Sequence, residues 1–192
     1  MNSYNRWQPE QPKDDPYLEE AAEIIRDHEI NLTEDGILDL LQIKYRWPEP
    51  SLEVINQCQK KSAGFFDSRG FIYYERWKGL YDLGFTSLLN NVMDLTADLR
   101  SLDVKLYEYK GSETNANLYL SAGTKVKRPS FDPHNHDYHV IVKPIYGKCS
   151  WSINGQIKET DPSGVIIIPA GTMHAVVDNP EPRLSLTINM SG

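Results

Sequence analysis

The spacing of apolar residues changes character midway along the chain. Before residue 103 apolar positions recur at helical intervals; after it they alternate or form short runs bounded by glycine, proline, asparagine or aspartate. Asp15 followed by Pro16 supplies an N-cap with proline at the first helical position. The segment YLEEAAEIIRDHEI behind it predicts a helix over 16–30. A second helix is predicted from Thr33, a capping residue, to Tyr45, with Ile37, Leu38, Leu40 and Leu41 as its apolar face. Pro48 and Pro50 interrupt, and Ser51 opens a third, short helix, SLEVINQCQKK. In TSLLNNVMDLTADLRSL (86–102), Leu88, Leu89, Val92, Leu95 and Leu99 share one face and predict the clearest helix of the chain.

From Asp103 the runs DVKLYEY, ANLYLS, HVIVKPI, KCSWSI, GVIIIP, HAVV and RLSLTINM predict strands. No stretch between them is long enough for a crossover helix, so they pair antiparallel into a small barrel or sandwich. The expected fold class is α+β: a flexible tail over 1–15, a helical region over 16–102 packing on the barrel, and the barrel over 103–192. Within the helical region, the aromatic-rich FIYYERWKGLYDLGF reads as core and packing.

Composition narrows the function classes. A length of 192 residues, 40% of them hydrophobic, suits one domain with a sizeable core and excludes a wholly disordered chain. No run approaches the ~18 apolar residues of a membrane helix, and MNSYNRWQPEQPKDDP lacks the order of a signal peptide. A soluble, cytoplasmic protein is expected. Two cysteines, Cys58 and Cys149, carry neither a disulfide scaffold nor a cysteine zinc site. Twenty basic against 27 acidic residues give a net charge of −7, so neither nucleic acid nor a membrane is an expected partner.

Histidine is unevenly placed. Of 5 histidines, His134, His136, His139 and His174 crowd the C-terminal third, while His28 falls on the first helix. His134 and His136 are two apart, which on a strand means one face. His174 follows a turn built by Pro169 and Gly171, at the start of a later strand. A barrel that lays the two strands side by side gathers three neutral imidazoles, a set suited to iron, zinc, copper or nickel. His139 has the opposite parity to His136 and takes a structural or supporting role.

At these residues the chain resembles the cupin superfamily, and within it the double-stranded β-helix oxygenases. HNHDYHVIVKPIYG is similar to the first cupin motif, with Val140 where that motif has glutamate; GVIIIPAGTMHAVVDN is similar to the second. The stretch from Asn117 to Leu120, the histidine pair and Gly147 resemble JmjC-type and ribosomal-oxygenase-like hydroxylases, and RLSLTINMSG resembles their closing strand. The resemblance implies a cupin-type double-stranded β-helix, an antiparallel barrel or jelly roll, preceded by an N-terminal helical region. In such hydroxylases two histidines and a carboxylate hold the metal. Here His136 stands at the carboxylate position, Asp137 beside it has the wrong parity, and Cys149 stands where relatives place a basic residue for 2-oxoglutarate. Lys148, next door, faces the other way.

Arg183 and Ser185, the first nine residues past His174, resemble the cosubstrate-binding strand of other 2-oxoglutarate oxygenases. A guanidinium fork beside a hydroxyl suits a carboxylate. The other reading is that Arg183 opens an edge strand and pairs with Glu181 or Asp178. Asn189 shares the parity of Arg183 and matches an asparagine near the cosubstrate in JmjC-type enzymes. Tyr119, Tyr138 and Trp151 are candidates for lining the substrate pocket.

The implied function is a metal-dependent oxygenase using Fe(II) or another divalent transition metal. Its ligands are His134, His136 and His174, with 2-oxoglutarate as cosubstrate and an amino-acid, peptide or small-metabolite substrate. The alternatives are a three-histidine cupin dioxygenase that binds its substrate directly to iron, and a cupin binding module without oxygenase activity. Pairing into a homodimer is a further expectation.

Overall fold

The structure, a computed structural model, describes residues 16–42, 51–56, 59–61, 64–112, 114–123 and 131–190; the predicted tail and Cys58 lie outside these. The elements run α1 (Pro16–Asp27), α2 (Glu34–Gln42), β1 (Leu52–Asn56), β2 (Gln59–Lys61), α3 (Tyr74–Asp82), β3 (Thr86–Leu89), α4 (Ala97–Lys110), β4 (Asn115–Ser121), β5 (His139–Tyr146), β6 (Cys149–Ile153), β7 (Gln156–Thr160), β8 (Ile166–Ile168), β9 (His174–Asp178) and β10 (Arg183–Met190). They build two antiparallel sheets, a larger one in the order β2-β1-β3-β4-β10-β5-β8 and a smaller one in the order β7-β6-β9. No helix among the described residues is long and apolar enough to cross a membrane.

Strand β10 lies between β4 and β5, so both of its edges are paired and its side chains must sort by period two. Leu184, Leu186, Ile188 and Met190 join the larger apolar core, which the sheet shares with the helices. Arg183, Ser185, Thr187 and Asn189 face the other way, into the space between the sheets. A second apolar cluster fills part of that space, with Val140, Val142, Ile166 and Ile168 of the larger sheet against Trp151, Ile153 and Val176 of the smaller. This is the α+β, cupin-type double-stranded β-helix that the sequence predicts.

Polar contacts fasten the helices to the sheet. The Lys143 ammonium donates to the carbonyls of Ile25 (2.9 Å) and Arg26 (2.8 Å), at the end of α1, where unpaired carbonyls favour a cation. Burial holds its pKa below the ordinary lysine value. His28, just past α1, joins it to α4. Lys105 can only donate, so Nδ1 of His28 accepts its bond (3.1 Å) and Nε2–H donates to the Asp98 carbonyl (2.8 Å). The indole N–H of the fully buried Trp77 donates to Ser87 (2.9 Å), tying α3 to β3.

Three sequence expectations are corrected. SLEVINQCQKK does not form a helix: its described residues after Ser51 are β1 and β2, and Leu52, Val54 and Ile55 are buried in the sheet. TSLLNNVMDLTADLRSL is not one helix. It begins as β3, turns at Asn91 with φ 55°, and becomes helical only at Ala97, where Thr96 caps the N–H of Leu99. DVKLYEY is not a strand but the continuation of α4, whose buried Leu99, Leu102 and Leu106 keep helical spacing up to the left-handed Gly111 cap. Strand β7 is an addition to the predicted elements. Its residues are mostly exposed and lack apolar alternation, but Asn154 (φ 48°) and Gly155 (φ 80°) form the two-residue turn that pairs it with β6.

Glycines press the corners of the barrel onto the start of β10. Gly147 has φ 73°, and a Cβ there would lie 2.0 Å from the Pro182 carbonyl oxygen and 2.8 Å from Arg183 Cα. Gly155 also has a positive φ, but a Cβ there meets nothing within 4 Å. Gly147→Ala is therefore expected to cost about 3 kcal/mol or more, combining backbone strain with a backbone clash. Gly155→Ala should cost about 1–2 kcal/mol, from strain alone. Urea unfolding midpoints of the two variants measure the difference.

Candidate metal centre

Backbone hydrogen bonds bring the histidines together. His134 and His174 exchange both main-chain bonds, at 3.1 and 2.8 Å, in an isolated antiparallel bridge. The turn before β9 is closed by Thr172 N–H donating to Pro169 O (3.1 Å), with Gly171 at φ 77°. Gly171 N–H also donates to the carbonyl of His136 (2.7 Å), and Ala170 N–H to Nδ1 of His139 (3.1 Å). The segment carrying His134 and His136 is thus stitched to the segment carrying His174. It precedes β5 and is not part of it, a difference from the single strand expected. His139 holds the turn and stays outside the cluster, in keeping with its expected supporting role.

The imidazoles of His134, His136 and His174 have ring centroids 4.6–5.2 Å apart, and each offers a ring nitrogen within 4.8 Å of the others. Their protonation follows from their neighbours. Nδ1 of His134 faces the Asp132 carbonyl at 2.8 Å and Nδ1 of His174 the Thr172 carbonyl at 2.9 Å. A carbonyl only accepts, so Nδ1 carries the hydrogen and Nε2 keeps a lone pair for an ion. Burial lowers the pKa of His174, the Thr172 carbonyl opposes this, and His134 lowers it further. His136 stacks on Tyr138, with ring centroids 4.7 Å apart. Asp137 is exposed and does not join the cluster. The donor set fits a transition metal: three neutral nitrogens, two with their tautomer fixed by the backbone.

The cluster opens into a cavity of about 330 Å³ between the sheets. Every residue proposed from the sequence as a carboxylate or pocket residue lines it: Arg183, Ser185 and Asn189 from β10, Tyr119 from β4, Trp151 from β6, and Tyr138 ahead of β5. Arg183 is 1% exposed and does not open an edge strand, because β10 is flanked on both sides. Among the described residues it forms no ion pair. Its Nη1 donates to Ser185 Oγ at 3.4 Å, and its Nε has no acceptor. Burial pushes the Tyr119 hydroxyl up to about 12, with Tyr138 and the Glu53 carboxylate of β1 raising it and Arg183 opposing, so it remains a donor at neutral pH. Cys149 is buried against Thr160 (3.3 Å) and Lys148 is exposed, so neither puts a cation in the cavity.

Thr187 lines the cavity in addition to the residues the sequence singles out, as does Asn117, which the sequence marks only as the start of a resembling stretch. Thr187 shares the parity of Arg183 and pairs with Asn117, and that parity is the signal that marks both. The Asn117 side-chain oxygen accepts from the N–H of Asn91 (3.2 Å), which fixes the turn after β3. Phe131 and Asn90 also line the cavity; they lie off the strands, where no periodicity marks them.

His174→Ala leaves two imidazoles and is expected to abolish stoichiometric Zn(II) or Ni(II) binding in equilibrium dialysis. The depressed folded pKa of His174 sets a sign for metal-free protein. Its contribution to stability is complete above the ordinary value of 6.5 and is lost as the pH falls through the lower folded value. The slope of urea midpoint against pH between about 7 and 5 should therefore be shallower in His174→Ala.

No protein-family model and no curated protein sequence matches the chain. Among solved structures, YcfD, a ribosomal oxygenase from Escherichia coli, aligns over 86% of this chain. In complex with cobalt and 2-oxoglutarate it gives a TM-score of 0.59 at 14% identity, and with cobalt and succinic acid 0.56 at 14%. A further crystal structure of YcfD gives 0.59 at 16%. The aligned region is 46% of YcfD, so this chain spans less than half the length of that protein. At this identity the likeness shows a shared fold, that of a ribosomal oxygenase whose structure holds cobalt with 2-oxoglutarate.

Proposed function

We propose that this chain is an Fe(II)- and 2-oxoglutarate-dependent oxygenase. His134, His136 and His174 hold the metal, and Arg183 with Ser185 anchors the far carboxylate of the cosubstrate. The observation that carries this reading is the buried Arg183 guanidinium, without an anionic partner among the described residues, in the same cavity as three converging imidazoles. A buried cation is costly unless an anion meets it. A dicarboxylate that reaches from metal to guanidinium supplies that anion. The likeness to YcfD, which holds cobalt and 2-oxoglutarate, supports the same assignment.

Fe(II) at such a site supplies dioxygen activation, coupled to conversion of 2-oxoglutarate to succinate and carbon dioxide and insertion of the second oxygen atom into a C–H bond. The chain's own residues do the rest. Arg183 and Ser185 orient the cosubstrate along β10. Val140 and Val176 wall the cavity with apolar surface and exclude water from the reacting atoms. Asp132 and Thr172 carbonyls hold the His134 and His174 rings in their ligating tautomer.

A second reading keeps the metal and drops the cosubstrate. His136 in place of a ligand carboxylate, and the absence of a cation from the described residues of β6, fit a three-histidine dioxygenase in which Arg183 holds the substrate's own carboxylate.

Anaerobic protein with Fe(II) and 2-oxoglutarate should develop a weak visible charge-transfer band, and in air it should form succinate. Metal binding with neither band nor succinate would assign the site to the second reading. Arg183→Ala should keep the metal and weaken 2-oxoglutarate binding by about 2–5 kcal/mol, roughly 30-fold or more in Kd. Calorimetric titration measures it.

A further inference from the structure

The charges of the described residues that line the cavity are one-sided, with the Glu53 carboxylate of β1 acting on Tyr119 from outside that lining. None of its described lining residues is an aspartate or a glutamate, and Arg183 lines it in buried form. The three imidazoles ligate as neutral groups. On the reading proposed above, the metal adds two positive charges and 2-oxoglutarate returns two negative ones. The site as a whole then keeps one net positive charge, in a space shielded from water.

The hydrogen-bonding groups lean the same way. Arg183 Nε and Trp151 Nε1 are buried N–H groups with no acceptor among the described residues, and Trp151 is only 8% exposed. Neither group can accept a hydrogen bond, so each needs an oxygen from whatever enters. Trp151 lies on β6, in the small sheet, facing β10 across the cavity, with its ring 6.1 Å from that of His174. It therefore meets a molecule placed beside the metal from the wall opposite Arg183. A volume of about 330 Å³ is at the small end for ligand pockets, which run to roughly 1,000 Å³.

We infer that the substrate of this site is a small organic acid, and that the Trp151 indole N–H is the donor that recognises its acid oxygens. A cationic substrate meets the surplus positive charge and no carboxylate among the described lining residues, Glu53 of β1 acting on Tyr119 from outside that lining. The inference deepens the oxygenase reading and rests on it.

The test uses protein loaded with Zn(II), which does no redox chemistry, and saturated with 2-oxoglutarate. It is titrated calorimetrically with butyrate, butyramide and butylamine, three probes of similar skeleton. Butyrate is expected to bind about tenfold tighter than butyramide, and butylamine to give no signal. Trp151→Phe keeps a ring and removes the donor. It should weaken butyrate by about tenfold and leave Zn(II) content and 2-oxoglutarate affinity at wild-type values. Butylamine binding as tightly as butyrate, or no butyrate binding, overturns the substrate class; unchanged butyrate affinity in Trp151→Phe overturns the role of Trp151. Zn(II) uptake and 2-oxoglutarate affinity are read first on the same sample, and their failure counts against the oxygenase reading itself. The three probes are then titrated into metal-free protein, where Arg183 and Trp151 alone require the same order.

Discussion

The structure depends on the position of β10 between two neighbours. A strand flanked on both sides has no freedom of register, because a slip of one residue turns every side chain to the opposite face. In β10 the consequence is severe. Leu184, Leu186, Ile188 and Met190 would leave the apolar core, and Arg183, Ser185, Thr187 and Asn189 would enter it. The burial that stabilises the domain and the polar stripe that serves the cavity are therefore one constraint. The corner at Gly147 reinforces it, since the chain there lies against Pro182 and Arg183 too closely for a Cβ.

The second requirement is local. Three imidazoles approach one another only because the loop before β5 and the turn before β9 are joined by main-chain bonds at His134, His136 and His174. The same backbone supplies the carbonyls that hold Nδ1–H of His134 and His174, so the chain path sets both placement and tautomer. With three neutral donors an ion here would keep its full charge. Arg183 adds another, and no carboxylate among the described lining residues balances either. On the proposed reading the negative charge comes from the bound molecules, a dicarboxylate cosubstrate and an acidic substrate.

Much of the barrel and most of the candidate site are legible in the sequence. The runs after Asn115 alternate or are bounded by turn residues, and the parity of Arg183 and Ser185 with the family resemblance of the histidine motifs points to the cavity face, although His134 and His136 lie ahead of β5 and not on a strand. The helical half is less legible, for physical reasons. In 86–102 the apolar residues Leu88, Val92, Leu95 and Leu99 keep helical spacing by coincidence across a strand, a turn and a helix; Asn91 and the Thr96 cap are the breaks. Tyr107 and Val104 alternate as they would on a strand, yet both are exposed on α4. Pairing of β1 and β3 onto the larger sheet is long-range, and the apolar residues of β1 suit either structure. Thr187 needs only the parity of Arg183 and Ser185 carried one step further along β10.

The measurement that bears most directly on the account is a crystal structure of the protein grown with cobalt or nickel and 2-oxoglutarate, with anomalous data at the metal edge. The account predicts one anomalous peak ligated by His134, His136 and His174, through Nε2 at His134 and His174, and a dicarboxylate running from it to Arg183 and Ser185. A peak held by fewer than three of these histidines, or a bound dicarboxylate that leaves Arg183 without an anion, would contradict it.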